Sequence, residues 1–350
     1  MTKHISPFKI LTIAAFIVLP TFSHAAGNEE GSEKKKTISR SYTVTPNDKL
    51  QIENSFGDVA INIWDKNEMK IDIEMSASAS TEQKAQAILD EINIKESKTD
   101  NLISFKTNSH NENNKGNSWN KNKKEGNNRK FEINYTVYMP AANPLQIENS
   151  FGKTMVPDFK GLVNLTSKFG SLKAGNLDNV EAIDVEFGEG HIGDVHNGKI
   201  TFKFDDKSTV GNLSGVVKIA NEFSDLVQYN VSNNIEELTI NESYSSIRVI
   251  VQKELSASFV IHTNFGDFHN GTEFKISEEG EEDENSGPKF DKDYKGIAGD
   301  GKAKIKIKSS FGDIRLSHMA ASKEEEKERV EKKERKEKRA KREVKEVEES

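Results

Sequence analysis

The octapeptide LQIENSFG occupies residues 50–57 and returns unchanged at 145–152. From Leu145 onward a looser form keeps recurring: two alternating apolar residues, a polar step, an aromatic residue with glycine, then a second short apolar strand. Copies begin at residues 145, 163, 183, 200, 217, 238, 259 and 305, so that six of the seven spacings fall between 17 and 21. The seventh contains the polar stretch SEEGEEDENSGPKFDKDYKGIAGDG, residues 277–301. A period near 20 built from strands and turns is the pattern of a β-solenoid, whose single coil cannot bury its apolar face and must stack on copies of itself. The expected class is therefore all-β, a parallel β-helix.

In such a stack the octapeptide has a structural job. Leu50 and Ile52, like Leu145 and Ile147, should point inward from a strand. Phe56 and Phe151 should fill the corner, and Gly57 and Gly152 should supply the positive φ that a turn there needs. The pairs Phe169–Gly170, Phe265–Gly266 and Phe311–Gly312 should repeat this corner, with Phe223 and Tyr244 in the same aromatic column. Phe187 and Phe204 follow their first apolar residue two positions sooner, which puts their place in that column in doubt.

The segment before the repeats reads differently. MTKHISPFK is basic, ILTIAAFIVLPTF (10–22) is apolar and SHAAG is small, an expected signal peptide over residues 1–25 cleaved after Ala25. A polar leader is expected over 26–40, followed by a strand–helix–strand cap over 41–144. Within the cap, STEQKAQAILDEINIKES (80–97) places Ala85, Ile88, Leu89 and Ile92 on one helical face, with Ser80 or Thr81 as N-cap. Residues 108–129 contain 9 Asn in 22 positions and are expected to form a disordered loop that includes Trp119, an aromatic residue available for contact. The solenoid is expected over 145–319, with the acidic insertion at 277–301, and the tail over 320–350 as a charged helical or disordered extension. Glu325→Arg329 and Glu328→Lys332 begin its run of favourably oriented i,i+4 pairs.

Chemistry-bearing clusters are few. The chain has no cysteine, which excludes disulfides, thiolate metal sites and a cysteine nucleophile. Its net charge of −7 mixes 50 basic with 57 acidic side chains, and nothing in it suggests nucleic acid. EFGEGHIGDVH (186–196) gathers Glu186, Glu189, His191, Asp194 and His196, but across a turn they share no preset direction, so solvent-facing turn residues are the default. Asp205, Asp206 and Lys207, with Asp58, Asp267 and Asp313 after the corner glycines, could be carboxylates of a polysaccharide-cleaving site. Turn capping explains them equally well. No catalytic, cofactor-binding or metal residue is therefore assigned, and no cofactor is expected.

The SFGD corners at 55–58 and 310–313, the export signal and IKIKSSFGDIRL (305–316) resemble the bacterial adhesin or auto-transporter adhesin-head family, over roughly residues 40–317. The resemblance implies a right-handed parallel β-helix and carries no functional residue with it. The two polar insertions and the charged tail depart from the family's pattern.

The expected function is that of a non-catalytic, exported envelope protein, an adhesin-like scaffold with a lateral binding surface. Its expected partner is a cell-surface glycan or an envelope protein, with no nucleic acid and no transmembrane segment after cleavage. Periplasm, outer-membrane surface and the exterior all fit. The alternatives are a polysaccharide-active enzyme on the same fold, or a stress component that binds cationic peptides through the acidic loop at 277–293.

Overall fold

One column of side chains explains most of the architecture. Ile52, Ile147, Leu165, Ile183, Ile200, Ile219, Ile240, Ile307 and Ile261 are brought side by side by successive parallel pairings. Every one of them is buried. Branched aliphatic side chains suit such a pleated, in-register surface. The period-two alternation of the sequence is thus the alternation between this core and solvent.

The computed structural model describes residues 31–109, 130–205, 208–224, 226–280 and 290–318. The expected signal peptide, nearly all of the Asn-rich loop with Trp119, Asp206, Lys207, residues 281–289 of the acidic loop and the charged tail lie outside them. The first region comprises β1 (Ser32–Thr43), β2 (Lys49–Ser55), β3 (Val59–Ile63), β4 (Glu68–Ala79), α1 (Glu82–Glu91), β5 (Ile92–Lys98), β6 (Leu102–Ser109) and β7 (Lys130–Met139). The repeats follow as β8 (Leu145–Ser150), β9 (Lys153–Val156), β10 (Phe159–Lys168), β11 (Ser171–Ala174), β12 (Leu177–Glu186), β13 (Glu189–Ile192), β14 (Val195–Lys203), β15 (Thr209–Glu222), β16 (Leu226–Ser243) and β17 (Ser246–Val251). Last come β18 (Ala257–Asn264), β19 (Phe268–Gly271), β20 (Lys275–Glu278), β21 (Asp291–Ala298), β22 (Ala303–Ser310) and β23 (Ile314–His318).

The chain is all-β, yet the expectation of a right-handed parallel β-helix is overturned. The strands form one large mixed sheet that does not close, with parallel ladders through the repeats and antiparallel ones at both ends. At one end β1 runs antiparallel to β4 and β4 to β7; at the other β21 runs antiparallel to both β18 and β20. Of these strands, β1 and β21 come from segments expected to be a polar leader and an inserted loop. The polarity of β1 suits an edge: SEKKKTISRSYT carries charges that blunt an exposed sheet border against pairing with another chain, whereas β21 lies between β18 and β20. Within β21, Tyr294 also packs against Phe268, with ring centroids 5.1 Å apart.

The helix is shorter than its sequence pattern. Thr81 caps α1, its hydroxyl accepting from the Lys84 N–H at 3.3 Å, and the helix buries Ala85, Ile88 and Leu89. Ile92, the fourth residue of the expected apolar face, instead opens β5 and starts a period-two run that pairs with β6.

The two octapeptides are direct neighbours. Leu50 pairs with Leu145, and each following residue with its twin as far as Ser55 and Ser150. Asn54 and Asn149 point inward and bond to each other at 3.2 Å, while their amides reach the Gly57 carbonyl at 3.3 and 3.1 Å. The repeated motif is thus paired with itself, residue on residue.

Spatial order departs from chain order at the far end. The last unit, β22 and β23, sits between the β16–β17 unit and the β18–β19 unit. Because the chain lacks cysteine, a cross-link reads this out directly. Cysteines replacing Asn241 and Lys308, adjacent in register, are expected to oxidise to a disulfide. Cysteines replacing Asn241 and His262 would stand two strands apart, about 9.6 Å, beyond bridging range, and should stay reduced on non-reducing electrophoresis.

Candidate binding surface

By simple alternation the aromatic residue of each unit should point inward, two positions after the last inward side chain. It does not. Phe56, Phe151, Phe169, Phe187, Phe204, Phe223, Tyr244, Phe265 and Phe311 all adopt φ between 51 and 66°. That left-handed step reverses the side-chain direction. Eight of the nine rings are about half exposed, from 47% for Phe187 to 52% for Tyr244. Rings expected to fill the corner from inside therefore line it from outside, and the positive φ falls on the aromatic residue, before the glycine.

The rings form a single ladder. Centroids from Phe56 through Phe151, Phe169, Phe187, Phe204, Phe223, Tyr244 and Phe311 to Phe265 are 4.7–5.1 Å apart, with planes within 7° of parallel. Phe131 packs edge-on against one end, and Phe290 stacks at 4.7 Å on the other. Phe187 and Phe204 belong fully to it. Their units look short because Ile183 pairs with Leu165, the second inward residue of the preceding unit.

A left-handed aromatic residue costs on the order of 1–2 kcal/mol. Each stacked pair returns about 0.5–1.5 kcal/mol, and each ring residue's N–H continues the ladder, as from Phe169 to the Glu186 carbonyl at 2.9 Å. Stacking therefore roughly offsets the strain. Replacing Phe187 with alanine removes two stacked pairs and should cost about 1–3 kcal/mol in urea unfolding, less than the loss of a buried phenylalanine such as Phe202.

Glycine follows the ring for a different reason than expected. A Cβ at Gly152 would lie 1.9 Å from the Gly57 carbonyl oxygen, and one at Gly170 would lie 2.0 Å from that of Gly152. The close approach of stacked turns, repeated at Gly266 and Gly312, excludes any side chain. In the three units where glycine is absent, Asp205, Ser224 and Ser245 follow the ring instead. There the Ser224 hydroxyl accepts from the Asp205 N–H at 3.2 Å, and the Ser245 hydroxyl from the Ser224 N–H at 3.0 Å.

Polar rows run along both sides of the rings. On the β10–β15 face, Lys168 pairs with Glu186 at 3.6 Å and Lys203 with Glu222 at 3.3 Å, beside a shallow trough. On the β9–β13 face, Lys153, Ser171 and Glu189 border a second trough along Phe151, Phe169, Phe187 and Phe204.

The candidate carboxylates are committed to backbone or side-chain partners within the protein. Asp58 accepts from the Lys153 N–H at 2.8 Å and Asp313 from the Asp267 N–H at 3.2 Å, while Asp267 holds Lys292 at 3.1 Å. Asp205 is buried, taking the Ser208 hydroxyl at 2.9 Å. Of the 186–196 cluster, Asp194 accepts from the Asn212 N–H at 2.7 Å, His191 meets Thr209 at 3.0 Å and His196 meets Ser214 at 3.1 Å. Glu186 goes to Lys168, and Glu189 lies 3.8 Å from His191. Among the described residues, no group of three His, Asp or Glu side chains converges on a point where a metal could sit.

One buried acid stands apart. Glu242 points inward beneath the ladder, only 5% exposed, with Oε1 accepting from the Ser309 hydroxyl and Oε2 without a hydrogen-bond partner. Burial pushes its carboxyl up to about 7. Asn221 stands beside it on β15 with neither amide atom bonded, and the fully buried Tyr229, its phenol also unbonded, is pushed well above the usual range by the same loss of water. The composition of NEFS and NESY hid this group, because Glu242 looks like a solvent-facing strand residue until alternation is counted from Leu238 and Ile240.

No family model and no curated protein matches the chain. Among solved structures it is similar to a "putative adhesin" of Bacteroides fragilis, at 13% identity and a TM-score of 0.34, over 81% of this chain and 97% of that one. A "putative cell adhesion protein" of Clostridium sporogenes shares 15% identity at a TM-score of 0.23, over 81% and 100% of the two chains. A "putative lipid binding protein" of Parabacteroides distasonis shares 10% at 0.33, over 80% and 96%. Likeness at this level bears on neither activity nor ligand.

Proposed function

We propose that the protein is a non-catalytic, exported binding scaffold of the adhesin kind, whose contact surface is the strip of ring edges and the polar rows beside it. The exposed ladder carries this reading. A soluble chain normally buries apolar side chains or scatters them, and a continuous apolar strip about 40 Å long marks a contact surface. The sequence resemblance of the SFGD corners to the adhesin-head family points the same way. The occupant is an extended chain, a surface glycan or an envelope polypeptide lying along the strip. Because each ring face is covered by its neighbour, sugars cannot stack on the faces. Contact is made through the ring edges, which carry the positive end of the aromatic quadrupole, and through the flanking hydroxyl, carboxylate and ammonium groups.

The test is binding of the intact protein to a panel of neutral and charged polysaccharides, with chain length of each polymer followed in parallel. At least one polymer should bind without shortening, and Phe169→Ser with Phe187→Ser should weaken it at least fivefold while the fold persists by circular dichroism. Shortening of any polymer, or full retention of binding by the ring variant, would overturn the reading.

A further inference from the structure

We propose that the end of the strip formed by Tyr244, Phe311 and Phe265 is a seat for the acidic groups of an anionic polysaccharide. This rests on the binding reading above and gives it a ligand class.

The observation is an imbalance of charge along one surface. Through the middle of the protein some cations pair with carboxylates on the next strand, as Lys168 does with Glu186 and Lys203 with Glu222, while Lys199 faces Lys218 in register. Around the last three rings five such cations gather on two flanks. On one side, Lys304, Lys306 and Lys308 occupy successive outward positions of β22, all exposed, about 6.7 Å apart along the strand. On the other side, Arg248 of β17, Arg315 of β23 and His269 of β19 stand in register on three adjacent strands, about 4.8 Å from one to the next. Among the described residues, none of the three lysines and neither arginine has a carboxylate within 4.0 Å. Of the nearby acids, Asp267 is engaged with Lys292, Asp293 with His262 and Asp313 with the Asp267 N–H, while Glu237 stands opposite Lys304 in register.

This concentration of positive charge is not a background property, since the whole chain carries −7. Like charges directly opposite one another on neighbouring strands are destabilising, and an oxyanion between Arg248 and Arg315 would relieve that repulsion with charge-assisted hydrogen bonds. The ring edges between the two cationic flanks are themselves the positive side of the aromatic quadrupole. All three elements therefore favour oxygen-rich anions.

Shape narrows the class. The two cationic groups lie on faces that meet at the ring corner, so a flat membrane cannot touch both at once. Single-stranded nucleic acid is held largely by bases stacking on aromatic faces, and here those faces are already covered. A flexible acidic polysaccharide can drape over the corner and reach both flanks.

Dextran sulfate serves as the probe, with neutral dextran, single-stranded DNA and phosphatidylserine vesicles as the other arms, all titrated against the full protein at several salt concentrations. Dextran sulfate should bind with an affinity that falls steeply with salt, and should bind better than the other three. Arg248→Gln with Arg315→Gln should weaken it tenfold or more, and Lys304→Gln, Lys306→Gln and Lys308→Gln together by a similar factor. Lys66→Gln with Lys84→Gln, both exposed and away from the strip, should change it less than twofold. Equal loss in both sets, salt-independent binding, or preference for DNA or vesicles would overturn the proposal. Neutral polysaccharides bound through the rings, with no role for these cations, would sink this inference and leave the scaffold reading standing; no binding of any polymer would sink both.

Discussion

Gly170→Val should lose 4 kcal/mol or more of stability, enough to abolish the cooperative urea transition or shift it to the lowest concentrations. A Cβ at this position would sit 2.0 Å from the Gly152 carbonyl oxygen. What it meets is backbone, fixed from both sides by the parallel ladders, so no rotamer can relieve the clash. Overpacking that side chains can absorb costs about 1–3 kcal/mol; one that must move two stacked turns costs more. The disturbance should also spread, because Gly188 approaches Gly170 in the same way. Ser171→Val, one residue further and half-exposed, serves as the control and should change stability by less than about 1 kcal/mol. Equal effects at the two positions would mean that the turns are not in contact.

The second large effect depends on pH. Glu242 holds its proton in the folded protein up to about 7, whereas its ordinary value is 4.5. Burial is the main cause; the Ser309 hydroxyl and the Ser245 backbone work against it, and Asp313 adds to it. The folded state thus binds a proton that the unfolded chain releases between pH 4.5 and 7. Its contribution is fully present below pH 4.5 and is lost as pH rises through about 7. Glu242→Gln keeps the shape and the Ser309 contact but cannot ionise. Relative to the natural protein, this variant should gain roughly 2 kcal/mol between pH 5 and pH 8, somewhat less than the full shift implies because part of the effect already lies below pH 5. Unfolding midpoints of the two proteins across that range measure it. A difference that stays flat with pH would show the carboxyl to be hydrated or paired.

Both effects trace to positions where local sequence and stacked context pull apart, and the same division explains what could be inferred beforehand. The inward column from Ile52 to Ile261 was legible, because alternation of apolar residues depends only on strand geometry. That most of the aromatic residues stack in one column was legible too, from their shared place in each unit, but the shorter spacing left Phe187 and Phe204 in doubt, and the ladder includes both. Their direction was not. Alternation carries Phe151 inward after Leu145, Ile147 and Asn149, and only the left-handed φ turns it out. The sequence shows the glycine that permits the turn but not which of the two residues bends.

Strand order was equally hidden. Nothing local in IKIKSSFGDIRL says that it slots between residues 238–251 and 257–271, since every unit offers neighbours the same aliphatic column. The charged strand β1 reads as a leader because edge strands are polar by necessity, and β21, paired to β18 and β20, is hidden by the acidic stretch that precedes it. The Arg248, Arg315 and His269 row could not be seen in sequence at all. Register alone brings together residues up to 67 positions apart.

The binding reading depends above all on rings that face solvent along the corner. Hydroxyl-radical footprinting resolved by residue tests this within one sample, because the chain supplies its own buried references. Phe169, Phe187, Phe223 and Tyr244 should be oxidised many times faster than Phe105, Phe159, Phe202 and Phe259, each no more than 1% exposed. Saturating dextran sulfate should then protect Tyr244, Phe265 and Phe311. Ladder rings that react as slowly as the buried four would place them in the interior and contradict the account.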